Sequence, residues 1–593
     1  MRKYKSFIIW TILSSVILMS LEQLKVTTLI SLLASQIISY SLIFALIYAV
    51  VHSFRQAPFK IKYIRENWLE FFSSVLFILL FFIAKIIETP NTVFFLRALT
   101  TSLPFAISMP SAKIVVLAVV VKDIFLLMNI YGKNRQVTGY VEKMVSNPAQ
   151  TVAVSFVAVI IVGALLLMMD FTTKDDNGLS VLQALFTATS CVCVTGLTVV
   201  DTATTFTVWG HLILLMLIQI GGLGIMMLSY FVIYAVSRRV SLQGKLMMSN
   251  MMGEDDTENI HKFIRNIVVT TFVIEFAGAV LLFFGFLPTL GLSIKTIWYA
   301  IFHSVSAFCN AGFAFYSDSL ESFRLNPLIT FTISFLIILG GIGFSSITNI
   351  CAILDAKLMQ IKDKKKKIQI PKFSVNTQVV FIVTAILLVS GTFIFYILEF
   401  DTTMKDYKLG EQYMAAFFQS VTFRTAGFNS VPFDSLRPVT YIIFSLFMII
   451  GGASGSTAGG IKVNTLAVLF TAVRTFKRGE KNYHLLNREF EQEKIIQAMI
   501  ISITTLAIIF VSVTIITILE NVPTERVLFE VCSAIGTVGV TAGLTPSLSV
   551  FSKLILIFLM FWGRVGALTI LSAGDSEDSG ANIRWPQADI AIG

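Results

Sequence analysis

Ionisable side chains are scarce in this sequence: Asp, Glu, Lys and Arg make up 13% of 593 residues, against 55% hydrophobic residues that include 52 Phe. A water-soluble domain could not hide that much apolar surface, so a soluble fold is excluded. Cysteine is rare as well. The five present, Cys191, Cys193, Cys309, Cys351 and Cys532, sit in or beside apolar segments, without the paired spacing of a zinc site or the clustering of a disulfide framework. Five histidines, His52, His211, His261, His303 and His484, are scattered and read as structural or solvated. No convergent nucleophile, base or metal-ligand set stands out for an intramembrane enzyme. The soluble loops are also too short to house the nucleotide-binding fold of an ATPase component.

What the chain has in abundance is apolar runs long enough to span a bilayer, from one end to the other. The net charge of +10 does not point to nucleic acid, because Lys and Arg gather in short loops between spans, as they do on the cytoplasmic side of a membrane. The basic start, Met1 to Lys5, leads into an apolar stretch with no clear small-residue cleavage site before Glu22; it reads as a retained first helix with a cytoplasmic N-terminus. Spans are expected near 7 to 21, 28 to 51, 69 to 87 and 112 to 131, which makes residues 1–145 an accessory region of about four transmembrane helices. The stretch 92 to 108, with Arg97 and Pro104, is too broken for a clean span, and one Arg is far from a voltage sensor's ladder.

From Thr151 onward a pattern recurs: a long apolar helix, an outer loop, a shorter amphipathic segment ending in a small-residue turn, then a second long apolar helix. The turns read Ser190 to Leu197 (SCVCVTGL), Ser306 to Phe313 (SAFCNAGF), Thr422 to Phe428 (TFRTAGF) and Ser533 to Val540 (SAIGTVGV). They place Gly196, Gly312, Gly427 and Gly539 at separations of 116, 115 and 112 residues. Repeats are expected over about 148–240, 262–360, 374–475 and 494–573, within a core of 146–575 followed by a tail, 576–593. Arg238, Arg239 and Lys245, then Lys362 and Lys364 to Lys367, then Arg474, Lys477, Arg478 and Lys481 mark cytoplasmic loops. The glycine turns share their side with Asp175, Asp176, Asp318, Glu399 and Asp401 and so face outward. The lysine run reads as a solvated loop, with anionic lipid or a docked partner as the alternative.

Irregular backbone at membrane depth is tolerated only where protein or water satisfies its polar groups. Four glycine turns can do so around a water-filled axis, where their carbonyl oxygens replace the hydration shell of a bare cation. Glycine suits the central position because it reaches conformations closed to other residues and leaves no side chain in the way. Close helix packing alone is the competing use of such glycines.

These motifs resemble the four pore loops of the Trk/Ktr/HKT superfamily of potassium transporters, above all the prokaryotic Trk and Ktr membrane subunits; the resemblance covers about residues 148 to 593, including the ending RWPQADIAIG. It implies an all-α integral membrane protein with four membrane-pore-membrane repeats around a central ion pore, here preceded by the extra helices, in the cell membrane. Its implied filter contains Thr195 and Gly196, Asn310, Ala311 and Gly312, Thr425, Ala426 and Gly427, and Val538 and Gly539. K+ is the implied ion. With only a short TG, AG or VG signature per repeat, fewer carbonyl rings stack than in tetrameric potassium channels, so Na+ permeation and a less selective Na+/K+ transporter form the alternative.

The second helix of repeat three is interrupted by Gly451 to Lys462 (GGASGSTAGGIK), whose small residues weaken helix propensity. An unwound intramembrane loop is expected; a phosphate-binding loop is not, since no Lys-Ser or Lys-Thr follows in register. By resemblance the loop is a gate under the filter, comprising Gly451, Gly452, Ser454, Gly455, Ser456, Thr457, Gly459, Gly460 and Lys462. Arg564, 11 residues beyond Lys553 and so about 16 Å along the last apolar helix, is an intramembrane charge too deep to snorkel outward. The surrounding GRVG resembles the family's pore-facing arginine below the filter. Arg424 reads as a loop brace. The resemblance also implies a homodimer and a cytosolic ring of RCK-type nucleotide-binding regulatory subunits.

Overall fold

The computed structural model describes residues 148–175, 177–224, 260–362, 369–480, 482–486 and 488–572. The expected N-terminal spans, the basic positions 238, 239, 245, 364–367 and 481, Asp176 and the tail lie outside the described residues.

Helices follow in an order that occurs four times. First comes α1 (Pro148–Leu167), the short α2 (Val181–Val192) and α3 (Val208–Leu223). Next are α4 (Ile260–Leu290), the short α5 (Ile294–Phe308) and a pair, α6 (Pro327–Gly341) and α7 (Phe344–Lys362). The third unit has α8 (Val375–Glu399), the short α9 (Leu409–Thr422), α10 (Pro438–Ile449) and α11 (Val463–Arg478); the fourth has α12 (Gln492–Glu520), the short α13 (Thr524–Gly536), α14 (Val550–Val565) and α15 (Ala567–Ser572). Between α11 and α12 lies a two-stranded hairpin, His484–Leu485 with Arg488–Glu489.

Among the described residues, three unbroken helices are long and apolar enough to cross a membrane: Arg265–Leu290, Val375–Glu399 and Gln492–Glu520. Their large side chains point outward, as in Phe276 at 72% and Phe510 at 74% exposure, which in water would be a liability and in lipid is the ordinary state. The interior is filled by the short helices. Phe302 stacks on Phe315 with ring centroids 3.9 Å apart, and Phe423 on Phe444 at 4.4 Å. Serine and asparagine start many of these helices: Ser180 forms a capping box with Gln183, and the Asn326 side chain accepts from the Leu328 and Ile329 N–H groups ahead of Pro327.

The second helix of each unit packs on the short helix of the next: α3 on α5, α6 on α9, α10 on α13 and, closing the circle, α14 on α2. That closure around one axis gives each short helix a neighbour from a different unit.

The second helix of repeat three is interrupted at Gly451, as expected, but those of the other three repeats differ from the expectation of long uninterrupted spans. Each is broken at a glycine step beginning 24 to 28 residues after the turn glycine: Gly221-Gly222-Leu223-Gly224, Gly340-Gly341-Ile342-Gly343, Gly451-Gly452 and Gly563-Arg564-Val565-Gly566. Gly224, Gly343 and Gly566 have φ of +82°, +85° and +91°, conformations that end a helix, and α6 and α7 are bent by 102°. The first glycine of the step is set by close approach. A Cβ on Gly221, Gly340 or Gly563 would lie 2.2, 2.0 or 1.9 Å from the carbonyl oxygen of Val192, Phe308 or Ile535, the residue four before each turn glycine. Gly563→Ala is therefore expected to lower yield and melting temperature sharply, by several kcal/mol of overpacking against backbone; a thermal-shift measurement in detergent checks it, and a wild-type melting point would show that this approach is not tight.

Candidate ion pore

The short helices point their C-terminal ends at the closed axis, and there the chain turns through left-handed conformations in all four units. Gly196, Gly312, Gly427 and Gly539 have φ of +98°, +70°, +81° and +92°. Two residues earlier, Val194, Asn310, Thr425 and Thr537 are left-handed too, at +55°, +60°, +71° and +51°. For the β-branched Val194, Thr425 and Thr537 this costs energy, and such strain persists only where the surroundings impose it.

The four glycines form a ring. A Cβ on Gly196 would meet the Ala311 carbonyl oxygen at 2.6 Å, on Gly312 that of Ala426 at 2.8 Å, on Gly427 that of Val538 at 2.7 Å, and on Gly539 that of Thr195 at 2.0 Å. Each glycine thus lies against the carbonyl preceding the next glycine, and the cycle returns to its start. Thr195, Ala311, Thr425, Ala426 and Val538 are fully buried and Asn310 is 1% exposed. Asn310 and Thr425 join adjacent units at 3.2 Å; with its amide turned, Asn310 also donates to the Ile337 and Ala307 carbonyls.

Hydroxyls brace the turns from behind. Ser190 Oγ accepts from the Gly196 N–H and Ser533 Oγ from that of Gly539, both at 3.0 Å. The Ser306 hydroxyl donates to the Phe313 carbonyl at 2.8 Å and Thr422 to that of Phe428 at 2.5 Å. Repeat three is one residue shorter here: Ala426 N–H reaches the carbonyl four residues back, at Thr422, whereas Thr195, Ala311 and Val538 reach five back, to Ser190, Ser306 and Ser533.

The segment from Gly451 to Lys462 is non-helical, and it lies against the glycine ring. Its neck is closed by a bridge between Ile450 and Ile461, with Gly451 N–H donating to the Ile461 carbonyl at 2.9 Å. Its body is bonded to the break between α6 and α7: Ala453 N–H donates to the Gly341 carbonyl, Thr457 N–H to that of Gly340, and Phe344 N–H to that of Gly455. Gly452 packs on the Gly341 carbonyl, Gly459 against the Thr537 side chain, and Gly460 near Gly536. Thr457 is buried beside Gly340, while Ser454 and Gly455 at the tip are exposed and Ser456 partly so.

Three cations bind this loop. Lys462 Nζ donates to the Ala458 carbonyl at 2.6 Å, and Arg424 Nη2 to the Gly451 carbonyl at 3.4 Å. Arg564 sits in the last turn of α14, immediately before the break at Gly566, where the helix C-terminus also favours a cation. Its guanidinium donates to the Thr457 carbonyl of the loop and to the Gly221 carbonyl at the break of α3. It therefore ties three units together at one point, with Cys193, Cys309 and Lys462 within electrostatic reach.

All predicted residues except the exposed loop tip are thus gathered in one place. Sequence reasoning missed the bracing hydroxyls, which a register search six residues before each glycine would have found for three of the four repeats. It singled out the steps GGAS at Gly451 and GRVG at Gly563 but missed their counterparts GGLG at Gly221 and GGIG at Gly340. A further omission is Glu275 of α4, 5% exposed, which accepts from Gln219 Nε2 at 3.0 Å. Glu399, read only as an outer acidic flank, is fully buried and accepts from Thr402, Thr403, the Arg437 N–H and Thr440.

Comparison with known proteins follows the same outline. A family model described as "TrkH: Cation transport protein" matches residues 117–579. Ktr system potassium uptake protein B of Bacillus subtilis is 36% identical over 449 residues, covering 75% of this chain and 97% of that protein. Potassium/sodium uptake protein NtpJ of Enterococcus hirae is 34% identical, covering 75% and 97%. Among solved structures, the potassium transporter TrkH from Vibrio parahaemolyticus superposes with a TM-score of 0.58 at 17% identity, covering 86% of this chain and 98% of that one, a likeness of fold.

Proposed function

This chain belongs to the TrkH family of cation transport proteins, and on that premise we propose that it takes up K+ across the cell membrane through the glycine ring, under control of the Gly451–Lys462 loop. It is a membrane protein and not an enzyme. The observation that carries the pore reading is the cyclic approach of each turn glycine to the carbonyl before the next. Oxygens that close on one another around an axis can take the place of water around a dehydrated cation, and any Cβ there would fill the space.

Within this reading, Thr195, Gly196, Asn310, Ala311, Gly312, Thr425, Ala426, Gly427, Val538 and Gly539 form the filter. The loop blocks the path beneath it, and Arg564 and Lys462 place positive charge there. Residues 1–145 serve as an accessory membrane region with the N-terminus in the cytoplasm, and the core works as a homodimer on a cytosolic RCK-type ring. A less selective Na+/K+ pathway is the second reading, favoured by the short signature of each turn and by the relative named for both ions.

Purified full-length protein in liposomes tests both. K+ and Rb+ are expected to flow well ahead of Na+ and Li+, down their gradients and without ATP, and a candidate cytosolic partner is expected to change the rate and not the order. Equal K+ and Na+ rates would select the second reading; absence of passive flux, with or without the partner, would remove both.

A further inference from the structure

Each short helix carries a polar side chain eight or nine residues before its turn glycine, and no two are alike. Nine residues before Gly196, Gly312 and Gly539 stand Thr187, His303 and Glu530; in the shorter third unit Gln419 stands eight before Gly427. None is more than 2% exposed.

Three of them reach the non-helical segment that leaves the glycine ring, and they land at the same place. His303 Nε2 accepts from the Phe315 N–H at 3.3 Å while its Nδ1 pairs with the Tyr299 carbonyl at 2.7 Å, which makes Nδ1 the protonated nitrogen of a neutral ring. Gln419 Nε2 donates to Ser430 Oγ at 3.0 Å. Glu530 accepts from the Ala542 N–H at 3.0 Å, the Leu544 N–H at 3.3 Å, the Thr545 hydroxyl at 2.8 Å and the Thr541 hydroxyl. Phe315, Ser430 and Ala542 are each three residues beyond the glycine of their unit. In the first unit the equivalent position is Val199, and the Thr187 hydroxyl has no partner among the described residues.

We propose that His303, Gln419 and Glu530 are positioning residues for ion selection, struts that hold the outgoing segment and thereby the carbonyl ring, with Glu530 the dominant one and the first unit left unstrutted. This rests on the glycine ring being the filter. A buried carboxylate is retained only where donors satisfy it, and four donors converging on Glu530 fix the outgoing segment far more firmly than the single bond made by Gln419. Selectivity is then set unevenly around the ring, strictest beside Gly539 and slackest beside Gly196, because a cage that can shrink by a few tenths of an ångström accepts a smaller ion.

The test uses full-length protein in liposomes, reading the K+/Na+ permeability ratio and the melting temperature together. Glu530→Ala is expected to lower the ratio about tenfold, the scale of one lost charge-assisted hydrogen bond. Glu530→Gln keeps an acceptor for both N–H groups, and the two threonine hydroxyls can rotate to accept, so its ratio is expected to stay within about twofold of wild type. Thr545→Val removes one donor without changing shape and is expected to lower the ratio with little change in melting temperature, which keeps the proposal testable where Glu530→Ala does not fold. Thr187→Val is expected to change nothing. A wild-type ratio in Thr545→Val, together with one in Glu530→Ala wherever that variant folds, would overturn the strut role, as would a Glu530→Gln ratio as low as that of Glu530→Ala. Gly427→Ser run beside them separates the two ideas: if it shifts the ratio and the strut variants do not, only the struts fail, whereas a wild-type ratio in Gly427→Ser removes the filter reading itself.

Discussion

Replacing Gly427 or Gly312 with serine is expected to collapse the preference for K+ over Na+ by an order of magnitude or more. Both glycines have positive φ, which an L-residue adopts at a cost of about 1–2 kcal/mol. The steric conflict adds to this. The new Cβ would lie 2.7 Å from the Val538 oxygen in one case and 2.8 Å from the Ala426 oxygen in the other, closer than real Cβ atoms approach anything. To accommodate it, a carbonyl must swing out of the ring, and it is the carbonyl that is needed to match the hydration of the larger ion. Gly539 is the harsher site, with the Thr195 oxygen at 2.0 Å, and substitution there is expected to cost folded protein as well. Permeability ratios from liposome flux check this; a folded Gly427→Ser protein that still distinguishes the ions as wild type does would remove these glycines from the filter.

Arg564→Gln is expected to raise cation flux at least about tenfold, equivalent to about 1.4 kcal/mol removed from the barrier. The guanidinium contributes in two ways. On the proposed pore its charge would stand beside the path of a cation, and its donors hold the Thr457 carbonyl of the loop and the Gly221 carbonyl of α3 at one point. A glutamine has neither the charge nor the forked reach. Shortening the loop between Gly451 and Gly460 by several residues is expected to raise flux as well. Because Arg564 acts on the loop through Thr457, combining the two changes should give less than the product of their separate effects. A structural arginine would behave otherwise: yield and melting temperature would fall and flux would not rise. Measuring all three in the same preparation decides, and multiplicative effects in the double variant would uncouple Arg564 from the loop.

A good deal of this architecture was legible in the residues alone. The spacing of Gly196, Gly312, Gly427 and Gly539 revealed four units, because a turn that must repeat its backbone geometry repeats its glycine. The small-residue run from Gly451 to Gly460 marked an unwound segment, since local propensity there opposes a helix whatever lies around it. Arg424 read as a brace and was found donating to Gly451. These are features whose cause is local, and sequence by itself determined them. The tertiary structure alone decided which groups meet. Arg564 binds carbonyls 107 and 343 residues away in the chain, and Gly539 lies against Thr195 from the opposite end of the core. The same holds for the breaks at Gly224, Gly343 and Gly566. Glycine is common in membrane helices for packing, and only the contacts of Gly221, Gly340 and Gly563 with the ends of the short helices show why a glycine is required there. Glu530 belongs to no motif in the sequence, and its four donors come together only where the segment beyond Gly539 folds back onto α13. A carboxylate's role depends on who faces it, and ring closure, not local preference, brings those partners together.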